Sequence, residues 1–190
     1  MNKLSTSKRT LLVLALFAFI YNTSLSFELP VKGNVDLSSN FCEYRPAHFH
    51  GGIDIRTGGQ EGRKIFSPID GYIWRIKYSY DGYGKGLYLK DYKGFTYVFG
   101  HLSRLNDELE RLVWDFQLKN QVYSFDNFYK IDSIPVKVGD LIAFSGKSGI
   151  GAPHIHLEVR DIDNKPLNPL TNGFDIQDRK STRLNSSHRL

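Results

Sequence analysis

Gly151-Ala152-Pro153-His154-Ile155-His156-Leu157-Glu158-Val159 is the stretch on which the reading of this 190-residue chain turns. Alternation makes it a strand: His154 and His156 fall on one face and Ile155 on the other, with Glu158 sharing the parity of the histidines. Pro153 has a fixed φ and biases its neighbours toward extended backbone, which helps pin the entry to the strand. Two imidazoles side by side on a β-face suit one metal ligand and one neighbour free to handle protons.

Working outward, the surrounding body has the same character. Residues 71–78, 86–90, 95–99 and 141–144 are rich in β-branched and aromatic side chains, several in strict alternation. Asp81-Gly82, Tyr83-Gly84, Lys93-Gly94 and Gly139-Asp140 mark tight turns between them. Short strands joined this way predict a mainly β, antiparallel architecture. One stretch breaks the rhythm. Leu105, Leu109, Leu112, Val113 and Phe116 recur at helical spacing, with Asp107, Glu108 and Glu110 near the start and Lys119 near the end, so an amphipathic helix is expected over about 103–121. An aromatic loop through Tyr123, Phe125, Phe128 and Tyr129 follows it.

Five histidines stand outside the carboxy-terminal tail: His48, His50, His101, His154 and His156. His50-Gly51-Gly52-Ile53-Asp54 pairs an imidazole with a carboxylate, both good zinc ligands. Two glycines would each cost about 1 kcal/mol inside a helix, so a strand that bends at Gly51-Gly52 and returns Asp54 to the side of His50 is expected. His101 closes the strand that ends at Phe99. Taken singly these residues admit plainer roles, with Asp54 capping a turn, His101 ending a strand and the 154/156 pair merely solvated. Their joint occurrence in a chain with so few histidines favours chemistry.

The constellation resembles the M23 family of zinc peptidases, which includes lysostaphin-like and LytM-like endopeptidases. Over about residues 36–170, His50-Gly-Gly-Ile-Asp54 is similar to the family's HxGxD segment and Gly82-Tyr83-Gly84 to its GYG turn. Phe99-Gly100-His101-Leu102 and Gly151 to Glu158 match its histidine-leucine and GPHLHFE segments, and Gly139-Asp140 with Ser145-Gly146 its glycine turns. The resemblance implies two antiparallel sheets forming a groove, of the duplicated hybrid motif type, with metal at the floor. It also implies that His50, Asp54 and His156 bind Zn2+ with one position left open for water and the scissile carbonyl. His154 would be the general base, and His101 would hold the water or steady the oxyanion. Glu158 is a candidate acceptor for the second nitrogen of a ligand histidine; a surface carboxylate is the other reading. The implied substrate is the peptide part of peptidoglycan. The alternative within the family is a catalytically silent LytM-like module that binds the wall or activates another hydrolase.

Some features depart from the pattern. Residues 103–137 are longer than the turn the family often has there, and their adjacency to His101 suggests a wall of the groove, the alternative being a helix packed behind the sheet. His48, two residues from His50, could also be aimed at the metal, but only His50 stands four before Asp54. Cys42 lacks a partner pattern, so a buried apolar role is expected.

The ends read differently from the body. Lys3, Lys8 and Arg9, the apolar run from Leu11 to Ile20 and Ser24-Leu25-Ser26 form an export signal over residues 1–26, shorter in its apolar part than a membrane span. A mature chain starting near Phe27 in the periplasm or cell envelope, or outside the cell, is expected, with no stable membrane insertion once the signal is cleaved. The peptidase-like domain is assigned to 27–170, with an insertion at 103–137. From about residue 180 the 171–190 tail resembles translated adapter sequence. Without these ends the body has 18 Lys and Arg against 19 Asp and Glu, so the basic character lies outside it and a nucleic-acid footprint is not supported. A phosphoryl carrier with paired histidines is disfavoured because export removes it from phosphodonors. The single cysteine allows no internal disulfide.

Overall fold

The computed structural model describes residues 27–46, 48–149, 151–174 and 176. The stretch read as an export signal and the tail from about residue 180 lie outside them. No helix among the described residues is long and apolar enough to cross a membrane.

The strands in chain order are β1 (Leu37–Ser39), β2 (Tyr44–Arg45), β3 (His48–Phe49), β4 (Ile53–Arg56), β5 (Lys64–Phe66), β6 (Gly71–Tyr78), β7 (Lys85–Asp91), β8 (Thr96–Gly100) and β9 (Leu102–Leu105). After helix α1 (Asp107–Asn120) come β10 (Phe125–Phe128), β11 (Pro135–Val136), β12 (Leu141–Ser145), β13 (His154–Arg160) and β14 (Pro166–Leu167). The main sheet runs β1-β4-β13-β8-β7-β6-β10, with β11 added to β6 and β14 to β13, and β5-β12-β9 form a second sheet. Every pairing is antiparallel. The mainly β, two-sheet reading therefore holds. The small β2–β3 hairpin is an addition that two-residue strands could not announce by alternation.

Alternation explains the core, with a bulge in β6 between Ile73 and Arg75 bringing both Ile73 and Ile76 inward. Ile53, Ile55, Ile73, Ile76, Leu87, Leu89, Phe99, Ile155 and Leu157 are essentially inaccessible to solvent and pack as one cluster. Burying each such side chain contributes roughly 1.5–3 kcal/mol. The cluster continues through Phe174 and Ile176, beyond residue 170, the expected end of the domain.

The expected helix is present but starts later, because residues 102–105 pair with β12 as β9. Asn106 caps α1, its side-chain oxygen accepting from the Leu109 amide at 2.9 Å, and acidic residues fill the first turn. Only Leu109, Glu110 and Val113 of α1 are buried. Leu112 and Phe116, expected on the apolar stripe, are about two-fifths exposed, although the Phe116 ring meets Phe125 of β10 edge to face at 5.1 Å. Glu110 is the anchor of the inserted segment. Its carboxylate accepts from the Leu105 amide at 2.7 Å and from the Tyr78 hydroxyl at 2.5 Å, and lies 3.6 Å from Lys85 Nζ. Replacing Glu110 with Ala leaves that buried amide and hydroxyl unpaired, so unfolding by denaturant is expected to show a loss of about 1–3 kcal/mol.

Candidate metal centre

Three adjacent pieces of backbone meet at the site. Asp54 on β4 stands opposite His156 on β13, and His156 stands opposite Gly100 at the end of β8, next to His101. The chain between His50 and Asp54 bends as expected, and Gly52 is needed there for close packing. A β-carbon on Gly52 would lie 2.2 Å from the Leu157 carbonyl oxygen, so only glycine lets β4 approach β13 this closely.

The result is a buried cluster in which His50 Nε2, Asp54 Oδ1 and His156 Nδ1 converge within 4.8 Å of one another. His156 Nδ1 is 3.0 Å from His50 Nε2 and 2.9 Å from Asp54 Oδ1, and His50 Nε2 is 3.2 Å from Asp54 Oδ1. The outer nitrogen of each histidine is occupied. His50 Nδ1 lies 2.8 Å from the Asn40 carbonyl, and His156 Nε2 lies 2.8 Å from Glu158 Oε1. A carbonyl or carboxylate can only accept, so those nitrogens carry protons, and when the rings are neutral the inner nitrogens present lone pairs to the cluster. Two such imidazoles and one carboxylate oxygen fit a zinc ion with one coordination position left open.

Glu158 takes the role its strand parity allowed. It is buried, accepts from the Tyr83 hydroxyl, and pairs with Arg160 at 2.6–2.7 Å. The Tyr83 ring stacks on His156 with centroids 5.1 Å apart. These contacts fix the ring plane of His156 from two sides.

Charge follows from the same contacts in the metal-free protein. Burial alone would raise the Asp54 pKa, but hydrogen bonds to His156 and His50 outweigh it and hold the carboxyl well below its ordinary range. For His156 burial acts to lower the pKa, yet Asp54 and Glu158 prevail and raise it. His101 behaves oppositely: burial is the largest cause, and its pKa falls to about 4.

His101 and His154 stand beside the cluster with ring centroids 4.6 Å apart, and His154 Nε2 is 3.6 Å from Asp54 Oδ1. Each donates Nδ1–H to a backbone carbonyl, His101 to Ser148 at 2.8 Å and His154 to Ala152 at 2.7 Å. Their Nε2 atoms are therefore acceptors when the rings are neutral. His101 has a left-handed backbone with φ of 59°, fixed by its amide bonding the Tyr83 carbonyl at 2.8 Å. That unusual conformation turns the residue out of line with β8.

All five residues expected at the site, His50, Asp54, His101, His154 and His156, thus meet in one place. His48 does not join the cluster; it is exposed on β3, with Nδ1 3.2 Å from the Pro46 carbonyl. Cys42 is exposed with φ of 63°, so the buried role expected for it is wrong: its amide bonds the His50 carbonyl, which places it on the turn that enters the hairpin. The groove above the cluster, about 770 Å³, is walled by Arg45, Pro46, His48 and Phe49 of the β2–β3 region, by Gly82-Tyr83, and by Gly151. No residue of 103–137 lines it, and α1 instead meets β9 and β10. The insertion therefore does not supply a groove wall. The missed residue is Arg45, whose guanidinium binds Asp54; nothing in the local sequence pairs positions 45 and 54 until the hairpin folds over.

Fold and site together define a β-sheet groove with two histidines and one aspartate converging, and two further histidines, at its floor. No protein-family profile matches the chain. An uncharacterized metalloprotease of Haemophilus influenzae is 29% identical over 123 residues, 64% of this chain and 20% of the relative, so the chain spans about a fifth of the length of that curated relative. Among solved structures, a zinc-containing peptidase from Vibrio cholerae superimposes with a TM-score of 0.55 at 21% identity, over 75% of this chain and 39% of that one. The catalytic domain of the prophage-encoded M23 protein EnpA from Enterococcus faecalis superimposes with a TM-score of 0.54 at 24% identity, over 77% of this chain and 98% of that one. The fold is that of the M23 peptidases.

Proposed function

We propose that the chain is an M23-family zinc endopeptidase that hydrolyses peptide bonds of peptidoglycan stems or cross-bridges, in the periplasm, the cell envelope or outside the cell. The observation that carries this reading is the convergence of His50 Nε2, Asp54 Oδ1 and His156 Nδ1 beside two imidazoles whose Nε2 atoms are acceptors. Zinc held by those three atoms supplies Lewis acidity, polarising a carbonyl and making a water acidic near neutral pH.

The chain's own residues do the rest. His154 receives the proton of the attacking water on Nε2, while its Nδ1–H stays on the Ala152 carbonyl and keeps the ring in the acceptor tautomer. It then returns that proton to the leaving amine. His101, neutral at physiological pH because burial lowers its pKa to about 4, accepts from the same water and orients it. In that state it has no Nε2–H to offer an oxyanion, which favours the water-holding role over the oxyanion role. The groove between Phe49 and Gly151 receives the extended peptide.

The test is mass spectrometry of peptidoglycan fragments after digestion by the purified protein, with and without a chelator. Release of new peptide ends that stops with chelator and returns with zinc is the expected result. His154→Ala should keep the metal and lose about 10²–10⁴-fold in rate. No chelator-sensitive release would favour the silent wall-binding or activating module.

A further inference from the structure

The two oxygens of Asp54 are committed to different partners. Oδ1 faces the cluster, within 2.9–3.6 Å of His156, His50 and His154. Oδ2 faces away and accepts from Arg45 Nη2 at 2.5 Å. The same guanidinium nitrogen donates to Ser39 Oγ at 3.0 Å, and Ser39 Oγ lies 3.3 Å from His50 Nδ1 and donates to Glu43. One nitrogen of Arg45 thus touches Asp54 itself and the hydroxyl that lies beside His50. Arg45 belongs to the β2–β3 hairpin, whose Tyr44 and Phe49 stack edge to face at 5.7 Å while remaining largely exposed.

We propose that Arg45 is a positioning residue that restricts Asp54 to one-oxygen coordination and latches the Tyr44–Phe49 hairpin onto the metal centre. The inference rests on the metal reading above. A free carboxylate beside a divalent cation can offer both oxygens, and with two histidines already bound, a second oxygen would fill the position the reaction needs open. A guanidinium bonded to Oδ2 removes that oxygen from competition. The pair is well placed for this because Asp54 is almost fully buried while Arg45 reaches it from the groove wall. Lysine would keep the charge but, as a point charge on a flexible stem, would hold Asp54 and Ser39 together less well.

The experiment replaces zinc with cobalt(II) in the full chain and compares wild type with Arg45→Ala and Arg45→Lys. Visible absorption reports coordination number independently of turnover, and metal content per chain confirms that each variant is folded and loaded. Wild type should give the intense absorption of a low-coordinate ion. Arg45→Ala should absorb more weakly, as an added oxygen raises the coordination number, and kcat should fall about 10- to 100-fold with metal still bound. Arg45→Lys should fall between the two. An Arg45→Ala protein with the wild-type spectrum and kcat overturns the positioning role while leaving the metal reading intact, whereas a wild-type chain that takes up no cobalt overturns both.

Discussion

Gly52→Ala is expected to unfold more readily than any other single methyl addition in the site and to lose zinc at the same time. The new β-carbon would sit 2.2 Å from the Leu157 carbonyl oxygen, 2.9 Å from its carbonyl carbon and 2.8 Å from Glu158 Cγ. The first two are backbone atoms of β13 held in register with β4, so no side-chain rotation relieves the contact. Forcing the strands apart costs about 1–3 kcal/mol or more. The same movement separates Asp54 from His156, which face each other across this pair. Gly51 is the internal control, because its added β-carbon would meet the Glu158 carboxylate at 3.3 Å, the end of a side chain. Denaturant unfolding with a zinc titration of both variants checks this; equal stability and equal zinc affinity for Gly52→Ala and Gly51→Ala would show that the close approach does not matter.

The second large effect is the pH dependence of metal binding. The His156 pKa is raised in the metal-free fold: burial opposes the charged ring, but Asp54 and Glu158 more than offset it. A raised pKa means that the charged imidazole stabilises the metal-free fold below the ordinary histidine value of about 6.5, and that this contribution is lost as pH rises through the raised value. A proton on His156 Nδ1 competes with the ion. Zinc affinity should therefore fall about tenfold for each pH unit below the raised pKa and level off above it. Asp54, held ionised far below its ordinary range, adds no slope between pH 5 and 8. Isothermal titration in buffers of different ionisation enthalpy should find about one proton released per zinc at the acid end. Affinity unchanged between pH 5.5 and 8 would rule out His156 as the titrating ligand.

Much of this site could be read from the sequence because its residues lie on strands that obey a period of two. His154, His156 and Glu158 share a face by counting, and the glycines after His50 excluded a helix, leaving a bend to return Asp54. The strand from Gly71 to Tyr78 likewise falls where alternation put it. What escaped was set by contacts between distant segments. Ser103 to Leu105 fell inside the helix expected over about 103–121, yet pairing with β12 drew them into a strand. Arg45 and Phe49 sit in strands of two residues, too short for any period to show, and their importance comes from folding back over Asp54. The insertion gave its helix through Leu109 and Val113, but proximity to His101 in the chain did not mean proximity to the groove.

Strand β13 carries His154, His156, Glu158 and Arg160 on one side and Ile155, Leu157 and Val159 on the other. A slip of a single residue would turn every one of those polar groups into the hydrophobic interior at once and expose the aliphatic ones. Misregistered forms are thus penalised by the same forces that drive collapse, with no need for the ion to select among them. The cluster of His50, Asp54 and His156 is thus tied to the register of β13 against β4 and β8.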